Sequence, residues 1–329
     1  MWVRCWRLRK SIPVGKQPQD PRLPAVAVVV VSWNGREVTA ECVRSLLASE
    51  GVRFAIIVVD NASTDGSAES LAETFPQVTV LRNATNLGYT GGGNAGLRHA
   101  MEMGAAYAFL INNDTVVTEA CLKGLVEAAQ RDPRVAAINP KIYYWMHRDR
   151  FWYAGGAFSL RSGIPVHRGR KRTDRGQYDV AQNVSFATGC AVLLKLEALE
   201  KVGLLDESLV SYAEDVDLSI RLLKAGYILR YEPVGGVWHR DGYSSRQCQW
   251  TGHRNRAYAR NCLRVVDKHA NLLQRVTARI LFSGHVLLLV TMPALLRRDL
   301  SAARAAVWGL LEGLAGKVGA QTGQERTSS

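Results

Sequence analysis

The sequence predicts an α/β protein built on a doubly wound, mostly parallel sheet with helices on both faces. Two continuous apolar runs, Ala25 to Val31 and Phe54 to Val59, are rich in Val and Ile, which is typical of strands covered on both faces. Amphipathic segments alternate with such runs, and polar turns separate them. This alternation indicates parallel strands joined by helical crossovers.

The first half of the chain carries the regular part of this pattern. In order, it predicts a strand at Ala25 to Val31, a helix at Val38 to Ala48, a strand at Phe54 to Val59, a helix at Ser67 to Phe75, a strand at Val78 to Leu81, a glycine loop, a helix at Asn94 to Met103, a strand at Ala106 to Ile111, a helix at Thr118 to Arg131 and a strand at Val135 to Ile138. Runs of β-branched residues define the strands, and apolar residues at helical spacing define the helices.

The second half is less regular. Residues 141–179 are aromatic, basic and rich in Gly, which predicts a long loop or hairpin. An apolar strand that ends at Lys195 follows, then a helix and a turn at Asp206. The last predicted elements of this part are a helix from Asp215 to Ala225 and a strand from Ile228 to Tyr231.

Length and composition predict one α/β domain with appendages, because 329 residues at 47% hydrophobic content can bury a full core. We expect a basic N-terminal arm over residues 1–24, the domain over 25–245, and a basic, apolar helical tail over 246–329. The net charge of +13 narrows the partners to nucleic acid, an anionic membrane surface or phosphorylated small molecules. The excess charge lies largely outside the predicted core, which favours a membrane-facing rim over one nucleic-acid groove, with scattered solvated charge as the alternative.

The six cysteines include no CxxC pair and no His/Cys spacing of a zinc site, which predicts a reduced, cytosolic compartment. The N-terminus is basic but lacks the apolar run of about 7–15 residues that a signal peptide needs. We therefore expect a cytoplasmic protein.

Polar residues follow the predicted strands at the carboxyl ends, where open α/β sheets bind ligands. Asp60 ends the second strand, and its carboxylate would accept two hydrogen bonds, as from a uracil or thymine imide or a ribose hydroxyl. A turn or capping role for Asp60 in its Asn- and Ser-rich loop is an equal alternative.

The glycines between Gly91 and Gly96 formally satisfy the G-x-G-x-x-G pattern. A dinucleotide fingerprint needs these glycines directly after a strand and an acidic residue about 20 positions later. Here nine residues separate Leu81 from Gly91, and the strand-end acid Asp60 precedes the glycines. We therefore expect a glycine loop that lies against a nucleotide, framed by Asn86 and Asn94.

Asn112, Asn113 and Asp114 close the fourth strand with oxygen donors, which match Mg²⁺ or Mn²⁺ bound together with substrate phosphates. His239 is a candidate further ligand, although a lone His is more often simply hydrogen bonded. Asp at a strand end is also often a cap.

Glu214, Asp215 and Asp217 open a helix, where the helix dipole favours negative charge. That structural role is the first explanation. Positions 215 and 217 point to different faces, so one acid would face a site as general base while another holds a neighbouring segment.

These four clusters, in this order, resemble the inverting family 2 glycosyltransferases of the GT-A fold, in particular bacterial rhamnosyltransferase-like enzymes of cell-surface polysaccharide synthesis. The resemblance covers about Val26 to Ser245. It implies that Asp114 binds a divalent metal, Mg²⁺ or Mn²⁺, that His239 completes the metal shell, and that Asp215 is the catalytic base.

The same resemblance implies a nucleotide-binding half over residues 25–140 and an acceptor half over 141–245. The residues it places at the nucleotide sugar are Ser32, Asn34, Asp60, Asn61, Asn86, Gly88, Gly93, Asn94, Asn112 and Asn113, and those on the acceptor side are Thr188, Gly189, Glu214 and Asp217. The implied partners are a nucleotide-sugar donor, such as dTDP-rhamnose or a UDP-sugar, a glycan or lipid-linked glycan acceptor, and an anionic membrane surface, with no nucleic acid.

The chain departs from the family pattern in two ways. Asn112 replaces the first Asp of a strict D-x-D element, which leaves the metal one firm carboxylate. The Q-x-x-R-W element of processive synthases is absent, since Gln247 to Trp250 lacks the Arg, and a single-sugar transferase is therefore expected.

Two rival functions are weighed against this one. A nucleotidyltransferase would carry a G-x-G-[ST]-R loop after the first strand, where this chain has Ser32 to Gly35. A nucleic-acid-binding protein would account for the basic run from Arg168 to Arg172, but no recognised nucleic-acid module accompanies it.

The tail contains a mostly apolar run from Ile280 to Leu296, bounded by arginines. At 1.5 Å per residue it reaches about 25 Å, at or below the length needed to span a bilayer. The alternatives are a buried helix packed on the domain and an interfacial helix on the inner face of the cell membrane. Arg256, Arg260 and Arg264 at helical spacing favour the interfacial helix, as a basic belt beside the apolar face.

Overall fold

The computed structural model describes residues 26–241 and 251–316. The predicted N-terminal arm over 1–24, the segment from Gln247 to Trp250 and the end of the tail lie outside the described residues. The chain divides into two compact units. The sheet unit comprises residues 1–158 and 165–248, and the helical unit comprises 159–164 and 249–329.

The sheet unit contains fourteen described strands and six described α-helices. The strands are β1 Val26–Ser32, β2 Phe54–Asp60, β3 Thr79–Arg82, β4 Tyr107–Asn112, β5 Thr115–Val117, β6 Val135–Asn139, β7 Ile142–Tyr144, β8 Phe151–Tyr153, β9 Gly156–Phe158, β10 Pro165–His167, β11 Gln182–Val184, β12 Ala191–Lys195, β13 Ile228–Tyr231 and β14 Val237–His239. The helices are α1 Arg36–Leu47, α2 Ser67–Thr74, α3 Gly88–Glu102, α4 Cys121–Arg131, α5 Leu196–Val202 and α6 Glu214–Lys224, and a 3₁₀ turn covers Glu207–Leu209.

Eight strands form the main sheet, in the order β11-β13-β6-β12-β4-β1-β2-β3. Strands β1, β2, β3 and β4 run parallel, as do β6 and β13, whereas β12 and β11 are antiparallel to their neighbours. The predicted doubly wound, mostly parallel sheet is therefore confirmed.

Two apolar layers cover the two faces of this sheet, and β1 contributes to both. Val28 and Val30 pack in one layer with residues of α1, α2 and α4, while Val29 packs in the other with residues of α3, α5 and α6. Successive side chains of a strand point to opposite faces, so a continuous apolar run is what a doubly covered strand needs. This explains why β-branched runs located the strands.

The predicted glycine loop is wrong, because Gly91 to Gly96 lie inside helix α3. Glycine disfavours a helix by about 1 kcal/mol relative to alanine, so the reason lies in packing. A Cβ on Gly96 would lie 2.3 Å from Cγ1 of Val29, and one on Gly92 would lie 2.8 Å from Cγ1 of Val31. The glycines therefore let α3 approach β1 closely.

Residues 141–179, predicted as a long loop or hairpin, form antiparallel strand pairs, in agreement with the hairpin. They contain four strands of three residues each, β7 to β10. Strands β7 and β8 join β14 and β5 in a four-stranded sheet, while β9 and β10 pair with each other. His239 consequently ends a strand, where the sequence predicted none after Tyr231.

The helical unit consists of α7 Thr251–His269, α8 Leu272–His285, a π-helical segment Val286–Thr291, α9 Met292–Leu296 and α10 Leu300–Leu314. An asparagine capping box at Asn271 begins α8. From Leu272 to Leu296 the helical path is 25 residues long. Its most apolar stretch has a mean hydropathy of 1.7, and 22% of that stretch is buried. By length and composition this segment could cross a membrane, and its length exceeds the 17 residues expected from the apolar run alone.

Candidate active site

The strand register brings the polar residues at the ends of three predicted strands to one edge of the sheet. Ser32 at the end of β1 is opposite Asp60 of β2, and Val31 is opposite Asn112 of β4. Thr39 of α1 links this edge, since its hydroxyl lies 2.8 Å from Ser32 Oγ and accepts a hydrogen bond from Asn113 Nδ2 at 2.9 Å. The carboxyl ends of parallel strands thus form one polar floor.

Asp60 is buried on this floor, with 3% of its surface exposed. Its Oδ2 accepts the backbone N–H of Ser63 at 3.1 Å, so the turn role predicted as an alternative is present. Its Oδ1 has no hydrogen-bond partner among the residues that the structure describes. A buried carboxylate oxygen without a donor is costly, which makes it a candidate acceptor for a ligand N–H or O–H.

Asn34 ties the turn after β1 to the turn after β2. Its backbone N–H donates to Ser63 Oγ at 2.9 Å, and its side-chain oxygen accepts the N–H of Thr64 at 2.8 Å. Its φ of +47° is in the left-handed region, which Asn tolerates better than most residues. The two strand-end turns therefore form one connected rim.

Asn61 and Asn86 organise the segment that leads into α3. Asn61 donates from Nδ2 to Asn86 Oδ1 and to the carbonyl of Gly88, and its Oδ1 accepts the N–H of Leu87 at 3.0 Å. Gly88 has a φ of +70°, and a Cβ there would lie 2.5 Å from Val210 Cγ1. Asn61, Asn86 and Gly88, which were predicted to bind the nucleotide sugar, thus shape the rim through contacts with one another.

Gly93 and Asn94 lie further along α3 and face a different segment. A Cβ on Gly93 would lie 3.1 Å from Leu205, and Asn94 Nδ2 donates to the carbonyl of Leu205 and to Glu207, both at 2.9 Å. Packing against residues 205–207 accounts for both positions. We therefore leave them out of the proposed donor site.

Asp114 and His239 meet next to the sheet edge. Asp114 Oδ1 lies 3.3 Å from His239 Nε2, and both side chains are 7% exposed. His239 is held in β14, which pairs with β5 and β7. Burial alone would lower the pKa of His239, but the neighbouring Cys190 and Asp114 outweigh it and raise that pKa.

The pair fits a divalent metal that takes its other ligands from a substrate. Carboxylate oxygen and imidazole nitrogen are suitable donors, and His239 Nδ1 has no described hydrogen-bond partner. Within residues 26–241 and 251–316, no three His, Cys, Asp or Glu side chains gather as a complete metal site. Asp114 and His239 would therefore supply the protein's share of the ligands, and phosphate oxygens the rest.

Asp215 lies in the first turn of helix α6 and accepts hydrogen bonds from two backbone N–H groups. The N–H of Gly189 donates to Oδ2 at 3.0 Å, and the N–H of Val216 donates to Oδ1 at 2.9 Å. Burial of the carboxyl group raises the pKa of Asp215, although part of the residue is exposed. The hydrogen bonds from the two N–H groups oppose that rise. Burial, followed by the nearby charge of Asp215, raises the pKa of Glu214, whose Oε2 lacks a described partner.

The loop before α6 has unusual backbone geometry. Val210, Tyr212 and Ala213 have φ values of +60°, +65° and +69°. Such angles are uncommon outside glycine and are most unusual for β-branched Val210. The carbonyl of Val210 accepts hydrogen bonds from the N–H and hydroxyl of Thr90 in α3, which holds the loop in place.

Asp217 does not join Asp215. Its side chain is fully buried and accepts Arg221 Nε at 2.7 Å, and the same guanidinium donates to the carbonyls of Val202, Gly203 and Leu204. The acceptor-side role expected for Asp217 is thus replaced by an ion pair that holds the neighbouring segment, as expected for the opposite helix face.

Thr188 and Gly189 lie beside Asp215, and two residues absent from the predicted set position them. Tyr89 donates its hydroxyl to the carbonyl of Gly189 at 2.8 Å, and Asn139 Nδ2 donates to the carbonyl of Thr188 at 2.9 Å. Tyr89 stands beside the glycines, and Asn139 ends a strand as Asp60 does. That strand-end position was the signal that could have identified Asn139.

Comparisons with known proteins identify the family and the fold of the chain. The family model described as Glycosyl transferase family 2 matches residues 27–203. The chain is 25% identical over 239 residues to N-acetylglucosaminyl-diphospho-decaprenol L-rhamnosyltransferase of Mycobacterium tuberculosis, covering 66% of this chain and 76% of that protein.

Two solved structures share the fold. GalNAc-T7, solved with UDP, GalNAc and Mn²⁺, superposes with a TM-score of 0.58 at 19% identity, over 75% of this chain and 48% of its own. The mannosyltransferase PcManGT of Pyrobaculum calidifontis, solved with GDP-Man and Mn²⁺, gives 0.53 at 17% identity, over 93% and 91%. The fold is therefore of the GT-A type. Because the family model matches more than half of the chain, the chain belongs to glycosyl transferase family 2.

Proposed function

We propose that this glycosyltransferase is a metal-dependent, inverting enzyme that moves a single sugar from a nucleotide sugar to a hydroxyl of a glycan or lipid-linked glycan. The observation that carries the proposal is the Asp215 carboxylate, which two backbone N–H groups orient beside the acceptor-side segment at Gly189. A carboxyl group with a raised pKa is suited to act as a general base near neutral pH.

The donor would lie on the polar floor at the strand ends. Asp60 Oδ1 would accept the imide N–H of uracil or thymine, which supports a UDP-sugar or dTDP-rhamnose as donor. Ser32, Asn34, Asn112 and Asn113, at the same strand ends and the turns after them, would contact the donor, and the Asn61, Asn86 and Gly88 network would form the rim. Asp60 thus sets the base preference in this proposal.

Asp114 and His239 would hold Mg²⁺ or Mn²⁺ together with the donor diphosphate. When bound, the metal neutralises charge that develops on the departing nucleoside diphosphate. Both residues are buried, and the strands already hold them 3.3 Å apart.

Asp215 would then take the proton of the acceptor hydroxyl. The hydroxyl oxygen forms a bond to the anomeric carbon from the face opposite the nucleotide, and the bond from that carbon to the phosphate oxygen breaks. The electron pair leaves with the nucleoside diphosphate, and the proton stays on Asp215. One displacement inverts the configuration at the anomeric carbon.

A thermal-shift screen of nucleotide sugars, with and without Mn²⁺, tests the donor proposal. A ligand present at 100 times its Kd should stabilise the protein by about 2.7 kcal/mol. We expect uracil or thymine nucleotides to stabilise it most, and Asp60→Ala to remove that preference with or without metal. Equal shifts for guanosine, adenosine and uridine nucleotides would refute the role of Asp60.

We further propose that the helical unit holds the enzyme at the cytoplasmic face of an anionic membrane, where it would meet a lipid-linked acceptor. The segment from Leu272 to Leu296 exposes large apolar side chains, including Leu288 and Leu289 at 65% and 66%. At 1.5 Å per residue its 25 residues reach about 37 Å, comparable with a bilayer core of about 30 Å.

Two arginines of the basic belt expected beside this segment form ion pairs within the helical unit. Arg256 donates to Glu312, and Arg260 also lies 3.9 Å from a Glu312 carboxylate oxygen. Arg279 pairs with Asp267 at 3.2 Å. The membrane proposal therefore rests on the exposed apolar side chains of this segment more than on the arginines.

Flotation with liposomes tests this arrangement. The full chain should float with anionic liposomes, and Leu288→Glu should weaken flotation by about tenfold or more, because burying a charge in the apolar region is unfavourable. Val180→Glu, at a 77% exposed apolar residue of the sheet unit, is the matched control and should float like the wild type. Equal flotation of both variants would exclude this segment as the anchor.

A further inference from the structure

Beside the proposed metal position, two arginines contact one tryptophan ring. The guanidinium carbon of Arg240 lies 4.0 Å from the ring centroid of Trp145, and that of Arg148 lies 4.4 Å from it. Arg148 also lies 5.6 Å from the ring of Trp238. Cation–π contacts of this kind hold a guanidinium in a defined orientation.

Backbone hydrogen bonds connect this arginine cluster directly to the two proposed metal ligands. The N–H of Arg240 donates to the carbonyl of Asp114 at 3.0 Å, and the N–H of Trp145 donates to the carbonyl of His239 at 2.9 Å. The indole N–H of Trp238 donates to the carbonyl of Arg148 at 3.2 Å. Both arginines are therefore attached to the strand ends that present Asp114 and His239.

The charges of the cluster are only partly compensated. Arg240 donates to Glu41 of α1, whereas Arg148 is exposed and forms no ion pair with a carboxylate of the described residues. A third cation, Arg170, lies close by, with Nε 3.2 Å from the hydroxyl of Tyr144. Stacking occupies the flat face of a guanidinium and leaves its N–H edge available to an oxyanion.

We propose that Arg148 and Arg240, oriented by Trp145, form a binding site for a diphosphate group. The inference rests on the proposed function for its context, since two sources of a diphosphate would meet there. One is the departing nucleoside diphosphate, and the other is the diphosphate of a diphosphate-linked lipid acceptor. Arg148 and Arg240 bind this group through charge-assisted hydrogen bonds that a lysine would make less specifically.

Calorimetric titration with inorganic pyrophosphate in metal-free buffer tests the site without using activity. Arg148→Gln should weaken pyrophosphate binding by about tenfold, and Arg148→Lys by less, because charge without the planar fork is retained. Arg53→Gln is the matched control, since this exposed arginine precedes β2 and lies at the opposite edge of the sheet. Equal pyrophosphate affinity in Arg148→Gln and wild type would overturn the proposal.

Trp145 is a positioning residue in this scheme, so its variants should separate stacking from folding. Trp145→Ala should weaken pyrophosphate binding as much as Arg148→Gln does, whereas Trp145→Phe should keep most of it, because a phenyl ring still stacks on a guanidinium. Similar pyrophosphate affinity in the Ala and Phe variants, both folded by circular dichroism, would contradict the positioning role.

Two further titrations identify the source of the diphosphate. If UDP or dTDP with Mn²⁺ binds Arg148→Gln about tenfold more weakly than wild type, the site serves the departing nucleotide. If those affinities are unchanged and farnesyl diphosphate binds about tenfold more weakly, it serves the acceptor. No change in either titration would overturn the proposal. Failure of UDP and dTDP to bind the wild type, with arginine-dependent pyrophosphate binding intact, would instead refute the uracil or thymine donor of the proposed function and leave this site standing.

Discussion

The proposed donor side and the proposed acceptor side of the candidate site are built in different ways. On the donor side, Ser32 and Asp60 occupy directly opposed register positions of regular parallel strands. On the acceptor side, Glu214 and Asp215 follow a loop in which Val210, Tyr212 and Ala213 have positive φ. Hydrogen-bonded strands position the first group of side chains, and a strained loop packed against α3 positions the second.

The two sides therefore fix the positions of their side chains in different ways. Strand ends place polar side chains as a consequence of the sheet itself, which the apolar layers stabilise. A residue other than glycine in the left-handed region costs about 1–2 kcal/mol, and the surrounding structure must supply that energy. Strain of this kind commonly occurs where catalytic groups are presented, which agrees with the role proposed for Asp215.

The largest effect expected in this comparison comes from the acceptor side. Asp215→Asn should lower kcat by roughly 10²–10⁴-fold, because it removes the proposed general base. The Kd of the nucleoside diphosphate should not change, since the donor floor is untouched. Steady-state kinetics and titration of UDP or dTDP measure the two quantities, with Asp132→Asn as the control at the opposite sheet edge. Full turnover in Asp215→Asn would move the base to Glu214.

A substitution on the donor side should weaken nucleotide-sugar binding and not only lower turnover. Asp114→Ala should weaken nucleotide-sugar binding by about 1.5–3 kcal/mol when Mn²⁺ is present, as expected for loss of a charged partner. In chelator the affinities of variant and wild type should be equal. Titrations in the two buffers measure this, and a wild-type affinity that is the same with metal and with chelator would exclude the metal role.

Relief of strain should stabilise the acceptor side. Ala213 has a φ of +69°, so Ala213→Gly should raise the free energy of unfolding by about 0.5–1 kcal/mol, after allowing for the extra entropy that glycine adds to the unfolded chain. Ala48→Gly is the control, because Ala48 has a φ of −78° and should lose stability instead. Denaturant unfolding measures both. Destabilisation by Ala213→Gly would show that the loop is not strained there.

The smallest effect concerns the buried acid next to the base. Burial, then the charge of Asp215, raises the pKa of Glu214, so its protonated form favours the folded state. The stability from this shift is complete at pH values below the unfolded pKa and is lost as the pH rises through the raised folded pKa. Glu214→Gln mimics the protonated form, so its melting temperature should exceed that of the wild type by more at about pH 9 than at about pH 6. A difference that does not vary with pH would contradict the burial of charge.

The same contrast explains what the sequence could predict. The apolar run at Phe54 to Val59 located β2 to within one residue, because a strand covered on both faces has a composition of its own. The strand-end rule then brought Ser32, Asp60 and Asn112 to one edge without any knowledge of register. The residues of the donor floor follow from local pattern.

The remaining features depend on contacts between distant segments. Helix α3 contains Gly92 and Gly96 because Val31 and Val29 leave no room for a Cβ there, and local propensity carries no record of such a contact. Strands β7 to β10 are three residues long, too short for a period to show. The partner of Asp217 and the positive φ of Val210 likewise arise from tertiary packing.

The position of β1 inside the sheet, between β4 and β2, has a consequence for amide exchange and for ligand release. Amides of β1 that bond to β2 or β4 can exchange with solvent only when the sheet opens, so their protection should report the global free energy of unfolding. Ser32 and Asp60 belong to the same ladder, so we expect the floor of the proposed donor site to be as rigid as the sheet itself. In the proposed function, release of the nucleotide would then depend on the loops and side chains above that floor.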